Sequence, residues 1–232
     1  MKSIILISVL ACSLSLSAQT NKEKFVPMIK KSIGVSFQSF DGLNSRISGF
    51  PEYEKLKDHM FTISLGSMHV INNFVSQFTA TAGSSLTGHS DRKSSAIRSL
   101  SGAFDIGYDV IPADKIMLYP LAGIGAETYK AVFYKDNSAV QFDDVLESPA
   151  VQNDIRSVKF TNAFITYRLG LGFALKSPKG YGTVGIQAGY SGSFKDRAWR
   201  SSENQVLAGA PVDKLSRFSV SLVLTGSKMM MK

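Results

Sequence analysis

Cysteine, histidine and long apolar runs are scarce in this sequence. Among its 232 residues there are one Cys and three His. A single Cys excludes a disulfide framework and a zinc site built on cysteines. Beyond the N-terminus no apolar run approaches the roughly 18 residues of a membrane-spanning helix, which argues against a helical membrane protein. Only 19% of the residues are charged, and the length suits one domain.

The N-terminus has the order of regions found in secretory signal peptides. Lys2 precedes an apolar run from Ile4 to Leu10, and small residues then lead to Ala18. We therefore expect export, with cleavage after Ala18. Two alternatives are lipidation at Cys12, which directly follows Leu10 and Ala11, and a buried N-terminal element.

Alternation of apolar with polar or small residues dominates the rest of the chain. A period of two indicates strands with one apolar face, and no segment shows a sustained period of 3.6. The longest series runs from Ala163 to Phe173. Several of the predicted strands are long enough for a tilted crossing of a bilayer. Eight are predicted: 31–40, 59–71, 73–87, 96–110, 116–134, 157–175, 181–195 and 214–226.

The connections between these strands alternate in length. Short turns lie near residues 72–73, 111–115 and 176–180, whereas the other connections are longer polar loops. Outer-membrane barrels have this pattern, with the short turns in the periplasm and the long loops outside the cell. In lipid every backbone donor needs a partner, so the sheet must close. We predict an all-β fold, a closed antiparallel up-and-down transmembrane β-barrel of eight strands, with small and polar side chains inside.

The pattern also divides the chain into segments. They are a signal peptide (1–18), a short N-terminal periplasmic tail (19–30), the outer-membrane β-barrel (31–226) and a C-terminal tail (227–232). The soluble alternative is a periplasmic lipocalin-like carrier, whose apolar faces would point inward. Glycines and charged residues on the opposite face argue against that alternative, because a carrier's cavity is mostly apolar.

Three strands carry a resemblance to known proteins. They are the segments Tyr119–Gly125 and Tyr167–Phe173 and the alternating last strand. With these strands the chain resembles the eight-stranded outer-membrane β-barrel family of the OmpA/OmpX type over nearly all of the mature sequence. The resemblance implies a porin-like β-barrel domain in the outer membrane. Two features depart from the family. Its members often end on an aromatic residue, whereas this chain continues past Leu224 to Lys232. The sequence is also too short to include the peptidoglycan-binding domain that follows the barrel in OmpA-type proteins.

Charged residues occur on the face that points into the predicted barrel. A buried charge without a partner is costly, so we expect these residues to pair with one another. The favoured interpretation is a structural ion-pair cluster that fixes the strand register, and the alternative is a gate for ions or small solutes. The five residues are Asp105, Asp109, Glu127, Arg168 and Arg217.

The net charge of +8 is spread unevenly. Most of the excess lies on the short-turn side and in the two tails, through lysines such as Lys30 and Lys31, while the long loops are slightly acidic. This distribution indicates an orientation, with a basic rim close to anionic headgroups. No basic stripe with interleaved aromatics occurs, so no nucleic-acid partner is expected. The expected partners are outer-membrane lipid and lipopolysaccharide, with an unidentified extracellular ligand at the loops, and we expect a monomer.

Aromatic residues near the predicted strand ends are candidates for interfacial girdles. One residue, Phe164, breaks the polar series on the inward face of its strand. The candidates are Tyr108 and Tyr119 at the short-turn end, and Tyr129, Phe133, Tyr134, Phe194 and Trp199 at the long-loop end.

Signals for a cofactor or a metal are weak. The segment Gly180–Gly185 fits the dinucleotide spacing G-x-G-x-x-G, but it follows a Pro turn and leads into a strand, so no cofactor is expected. His59, His69 and His89 lack the spacing of metal ligands, and no metal site is expected.

An enzymatic alternative depends on residues at the outer rim. Some outer-membrane barrels modify lipid A or cleave proteins with a Ser/His/acid set there. His59 and His89 lie at that end, with Ser85, Ser90 and Asp91 nearby. We expect instead a small non-enzymatic outer-membrane barrel without catalytic residues, with a structural or surface-interaction role through its long loops.

Overall fold

The computed structural model describes residues 28–85, 92–111, 113–177 and 182–227. The predicted signal peptide, Cys12, His89, Ser90, Asp91 and the residues after Ser227 lie outside these ranges. Eight long strands form the fold: β1 (Met28–Gln38), β2 (His59–Ile71), β3 (Phe74–Ser84), β4 (Ser94–Tyr108), β5 (Ile116–Tyr134), β6 (Val158–Lys176), β7 (Gly182–Ser193) and β11 (Ser216–Ser227).

The eight strands form one closed antiparallel sheet. Each strand pairs with its neighbours in the chain, β1 pairs with β11, and β5 pairs with β6 over most of their length. The prediction of a closed up-and-down barrel of eight strands is confirmed. The first strand begins at Met28, so Lys30, which we had assigned to a periplasmic tail, is part of the barrel wall.

Loop length separates the two ends of the barrel. The two-residue turn between β2 and β3 uses Asn72 and Asn73 at positive φ (48° and 67°), as a tight hairpin turn requires. Three long loops, spanning 39–58, 135–157 and 194–215, lie at the other end, where β3 ends and β4 begins. With the connection between β3 and β4 counted as the second, they are the first, third and fourth long loops.

The long loops hold the remaining secondary structure. Among the described residues, no helix is long and apolar enough to span a membrane. The short elements are the helices α1 (Asp41–Ile47), α2 (Phe142–Glu147) and α3 (Pro149–Asp154) and the two-residue strands β8 (Arg197–Ala198), β9 (Arg200–Ser201) and β10 (Val212–Asp213).

Large apolar side chains cover the outside of the barrel. On β6 the outward positions from Ala163 to Leu175 are all apolar or aromatic. Twelve residue steps of about 3.3 Å, tilted by about 40°, span about 30 Å, which matches the hydrocarbon core of a bilayer. The most exposed members of this face include Ile33, Ile63, Leu65, Leu100, Ile124 and Leu169.

The predicted aromatic girdles were largely wrong. Tyr108 and Phe194 are exposed, as an interfacial position requires. Tyr119, Tyr129 and Phe133 occupy odd-numbered, inward positions of β5 and are buried inside the barrel, and Trp199 of the fourth long loop is buried against Phe40. Position near a strand end was a poor guide because parity along the strand decides which face a side chain joins.

The barrel interior has three layers. An upper apolar cluster lies at the long-loop end, and a lower apolar cluster of Met68, Val75, Met117, Tyr119, Leu121 and Ala174 lies at the short-turn end. Charged and hydroxyl side chains fill the space between the clusters. The expectation of small and polar side chains inside the barrel therefore does not hold at its two ends, where large apolar side chains are packed.

Glycine makes room for one large side chain of the lower cluster. Gly172 on β6 lies opposite Tyr119 in the sheet, and a Cβ added to it would come within 2.1 Å of the Tyr119 ring. The buried ring therefore requires glycine at this inward position.

Because the outward face is apolar, a charge placed on it should destabilise the barrel more when it lies near the middle of the membrane than when it lies near the edge. Ile63 on β2 is 65% exposed and lies between Ile33 and Ala82, whereas His59 begins the same strand at the long-loop end. We expect Ile63→Arg to lower the free energy of unfolding in lipid vesicles by about 2–4 kcal/mol and His59→Arg by about 1 kcal/mol or less. Urea titration of both variants measures the difference, and equal effects would contradict the assigned lipid face.

Candidate functional site

Strand register brings most of the predicted interior charges into one layer. The register pairs neighbouring residues in the order Gln77, Asp105, Gly123, Arg168, Ser191, Arg217 and Gln38, in a row that runs obliquely from the short-turn end of β3 to the long-loop end of β1. Glu127 lies four residues above Gly123 on β5. Asp105, Glu127 and Arg217 are almost completely buried, at 1–4% exposure. We call Lys30, Gln77, Asp105, Glu127, Arg168 and Arg217 the polar layer.

Ion pairs join the charged members of the polar layer. Arg168 Nε lies 2.9 Å from Asp105 Oδ1, and Arg168 Nη1 lies 3.9 Å from Glu127 Oε1. Arg217 Nη1 lies 2.9 Å from Glu127 Oε2, close enough for an ion pair although the angles fall short of a hydrogen bond. The Tyr129 hydroxyl donates a hydrogen bond of 2.7 Å to the same Glu127 oxygen. Two cations thus share two carboxylates across strands β4, β5, β6 and β11.

Gly123 allows the pair between β4 and β6 to form across the intervening strand. It lies between Asp105 and Arg168 in the sheet. A Cβ added to it would come within 2.3 Å of Asp105 Oδ1. The absence of a side chain on β5 therefore leaves the space in which the carboxylate meets the guanidinium group.

Lys30 extends the polar layer through neutral partners. Its Nζ donates to Gln77 Oε1 at 2.7 Å and to Gln187 Oε1 at 2.9 Å, and Gln77 Nε2 donates to Asp105 at 3.0 Å. Sequence reasoning missed this part of the layer because it placed Lys30 in a tail. Glutamine also carries no charge that would have drawn attention to Gln77 or Gln187.

A small polar cavity lies within this layer. Its volume is about 50 Å³, which is enough for about three or four water molecules. Lys30, Asp105, Arg168, Arg217 and a set of Ser and Thr hydroxyls line it. A cavity of this size offers no room for an organic solute.

Asp109 does not belong to the polar layer. It lies at the short-turn end, where its Oδ2 is 2.9 Å from Lys176 Nζ and its Oδ1 accepts hydrogen bonds from the amides of Ile111 and Leu118. The expectation that it pairs with the other four interior charges was wrong. Lys176, which we had assigned to the turn, is its partner because both side chains lie beside the β4–β5 turn.

The upper apolar cluster covers the polar layer at the long-loop end. Phe40, Leu43, Ile47 and Leu56 of the first long loop pack there against wall residues. The Phe40 ring meets Tyr129 and Trp199 edge to face, with centroids 5.0 and 5.3 Å away. The wall and fourth-loop members are Met60, Ile97, Tyr129, Ala131, Phe133, Phe164, Trp199 and Leu215.

A buried carboxylate links the first and fourth long loops. Asp213 accepts hydrogen bonds from the Gly42 and Leu43 amides of α1 at 2.7 and 3.0 Å. It also accepts one from Trp199 Nε1 at 2.6 Å. The first turn of α1 thus takes its cap from another loop, and α1 is held over the barrel mouth.

The residues considered for catalysis or metal binding do not converge in the described part of the chain. His59 lies at the long-loop end of β2 and His69 near the opposite end. Ser85 Oγ accepts a hydrogen bond from the Ile97 amide. Within the described ranges, no group of three or more His, Cys, Asp or Glu residues could hold a metal ion.

Breaking the pair between Arg217 and Glu127 tests the polar layer. We expect Arg217→Met to lower the free energy of unfolding by about 3–5 kcal/mol, because Glu127 then keeps a buried charge with too few partners. The double variant Arg217→Met/Glu127→Gln should recover most of that loss. Urea unfolding in vesicles measures both variants. An equal loss in the double variant would show that the destabilisation comes from the lost side-chain volume of Arg217 and not from the unpaired charge of Glu127.

An exposed ion pair provides the control for that experiment. Lys135 Nζ lies 2.8 Å from Asp154 in the third long loop, where the hydrogen bond raises the pKa of Lys135. We expect Lys135→Met to cost less than about 1 kcal/mol.

The link through Asp213 predicts a spectroscopic change. Asp213→Ala leaves two amides and the indole without their acceptor, and we expect a loss of about 3 kcal/mol. Trp199 is the only Trp of the chain, so its emission should shift to longer wavelength as the first long loop opens to protease. Asp196→Ala, in the same loop as Asp213 and exposed, should change neither signal. Unchanged emission and protease resistance in Asp213→Ala would show that α1 is held without this carboxylate.

Known proteins share this fold but little sequence. No protein-family model and no curated protein matches the chain. The structure is similar to that of neisserial surface protein A, with a TM-score of 0.50 and 10% sequence identity, covering 87% of this chain and 96% of that protein. It is also similar to a major outer membrane protein from Thermus thermophilus, with a TM-score of 0.50 and 9% identity over 86% and 98% of the two chains. The chain therefore has the fold of small outer-membrane β-barrels.

Proposed function

We propose that the protein is a non-enzymatic outer-membrane barrel with a structural or surface-interaction role, presented through its long loops. The observation that carries the proposal is the filled interior. Two apolar clusters enclose a polar layer whose cavity measures about 50 Å³. A barrel filled in this way supports a role on its outer surfaces rather than in transport.

The outward face supports location in a membrane. A belt of large apolar side chains around the wall is stable where it meets hydrocarbon. A periplasmic carrier is not favoured, because its apolar faces would enclose a ligand.

The long loops support the surface role. Asp213 and the upper apolar cluster hold the first and fourth loops against each other. The third loop presents exposed apolar side chains on α2, namely Phe142 at 76% and Leu146 at 66% exposure. An ordered platform with exposed contact residues suits recognition of an extracellular partner.

Expression in a Gram-negative host tests the proposal. The protein should appear in the outer-membrane fraction, migrate differently on gels before and after heating, and give no steady conductance in planar bilayers. Mass spectrometry of lipid A should show the same acyl pattern with and without the protein.

Three results would overturn the proposal. They are recovery in the soluble periplasmic fraction, steady ion conductance of the wild-type protein, and a changed lipid A acyl pattern. The last result would establish the enzymatic alternative.

A further inference from the structure

A row of basic side chains lies on the outside of the barrel wall. The register pairs Arg98 on β4 with Lys130 on β5, Lys130 with Thr161 on β6, and Thr161 with Arg200 on β9. Arg98, Lys130 and Thr161 all occupy outward positions of their strands. We call Arg98, Lys130 and Arg200 the outer basic row.

The row lies directly above the apolar belt at the long-loop end. On β4 the next outward residue below Arg98 is Leu100, which is 63% exposed. On β5 the outward residues below Lys130 are Thr128, Ala126 and Ile124. We therefore expect hydrocarbon to give way to headgroups at this level. Because long loops mark the extracellular side, the headgroups are those of the outer leaflet.

Cations in the row lack carboxylate partners. Among the described residues, no Asp or Glu lies within 4.0 Å of Arg98, Lys130 or Arg200 in an ion pair. Arg98 and Lys130 face each other across adjacent strands, with Cβ atoms about 5 Å apart, an arrangement in which like charges destabilise the sheet. Outward positions on β4, β5 and β6 carry no acidic residue. An anion between the two cations would relieve their repulsion.

A cleft adjoins the row. It has a volume of about 890 Å³ and is lined by the row, by apolar wall residues such as Leu100 and Ile165, and by the fourth long loop. Two acidic residues also line it: Asp196, which is exposed, and Glu127, whose side chain is buried and paired inside the barrel. Basic side chains above an apolar wall match an amphiphile with a phosphorylated head and acyl chains.

We infer that the outer basic row binds the phosphate groups of lipid A in the outer leaflet, with the acyl chains lying along the apolar belt. The inference rests on the proposed outer-membrane function and assigns specific residues to the binding of the lipopolysaccharide that the sequence led us to expect as a partner. Arg98 and Lys130 supply the charge, and the Thr161 hydroxyl lies beside them as a further donor.

Lipid titration of the full-length mature protein tests the inference. The protein, refolded in non-ionic detergent, is mixed with bisphosphorylated lipid A, and bound lipid is counted by native mass spectrometry. We expect the variant Arg98→Gln/Lys130→Gln to bind at least about tenfold more weakly than the wild type, because it removes two cations that attract the anionic headgroup. Lipid A without phosphates should bind both proteins equally weakly.

Matched controls separate the possible outcomes. Lys55→Gln/Lys57→Gln removes the same charge from exposed positions of the first long loop and should bind like the wild type. Equal affinity of wild type and Arg98→Gln/Lys130→Gln would overturn the inference. So would an equal loss in the control variant, or competition by inorganic phosphate at equal concentration. Heat-modifiable gel mobility, measured on every sample, reports barrel folding separately, so a failure of the outer-membrane proposal would be recognised on its own.

Discussion

Closure of the sheet, in which the first strand β1 pairs with the last strand β11, is the constraint on which the rest of the structure depends. In hydrocarbon no strand edge can remain without hydrogen-bond partners, so the eighth long strand must pair with the first. Closure then sends every second residue inward into a space only wide enough for side chains. The choice of inward residues decides whether that space is a pore, a pocket or a packed core. Here it is packed.

The packing follows from the cost of burying charge. Burying the charge of Arg168 or Arg217 without a partner would cost too much free energy, and each pairs with a carboxylate on another strand. Gly123 leaves the space for one of these pairs, and apolar clusters pack at both ends of the layer. Because the interior is packed with side chains, we expect binding partners to be recognised at the outer surfaces. These are the ordered loops and the wall where hydrocarbon meets headgroups.

Much of this architecture could be predicted from residue patterns. The strand bounds differ from those predicted by three residues or fewer, because period-two alternation is strong in a sheet that faces lipid on one side and itself on the other. Alternation also predicted that Asp105, Glu127, Arg168 and Arg217 lie on the inward face, and these four charges meet in one layer. Asp109 does not, because depth inside a tilted barrel depends on register, which parity alone does not reveal.

The sequence by itself determined the strands, their two faces and the closed fold, since alternation and loop length are local properties. Only the tertiary structure decided which inward residues meet. It placed Lys30 against two glutamines, packed Phe40 on Tyr129 and Trp199, and used Asp213 to cap a helix from another loop. It also aligned Arg98, Lys130 and Arg200 on the outside. These contacts join residues far apart in the chain, and their geometry depends on the register between strands.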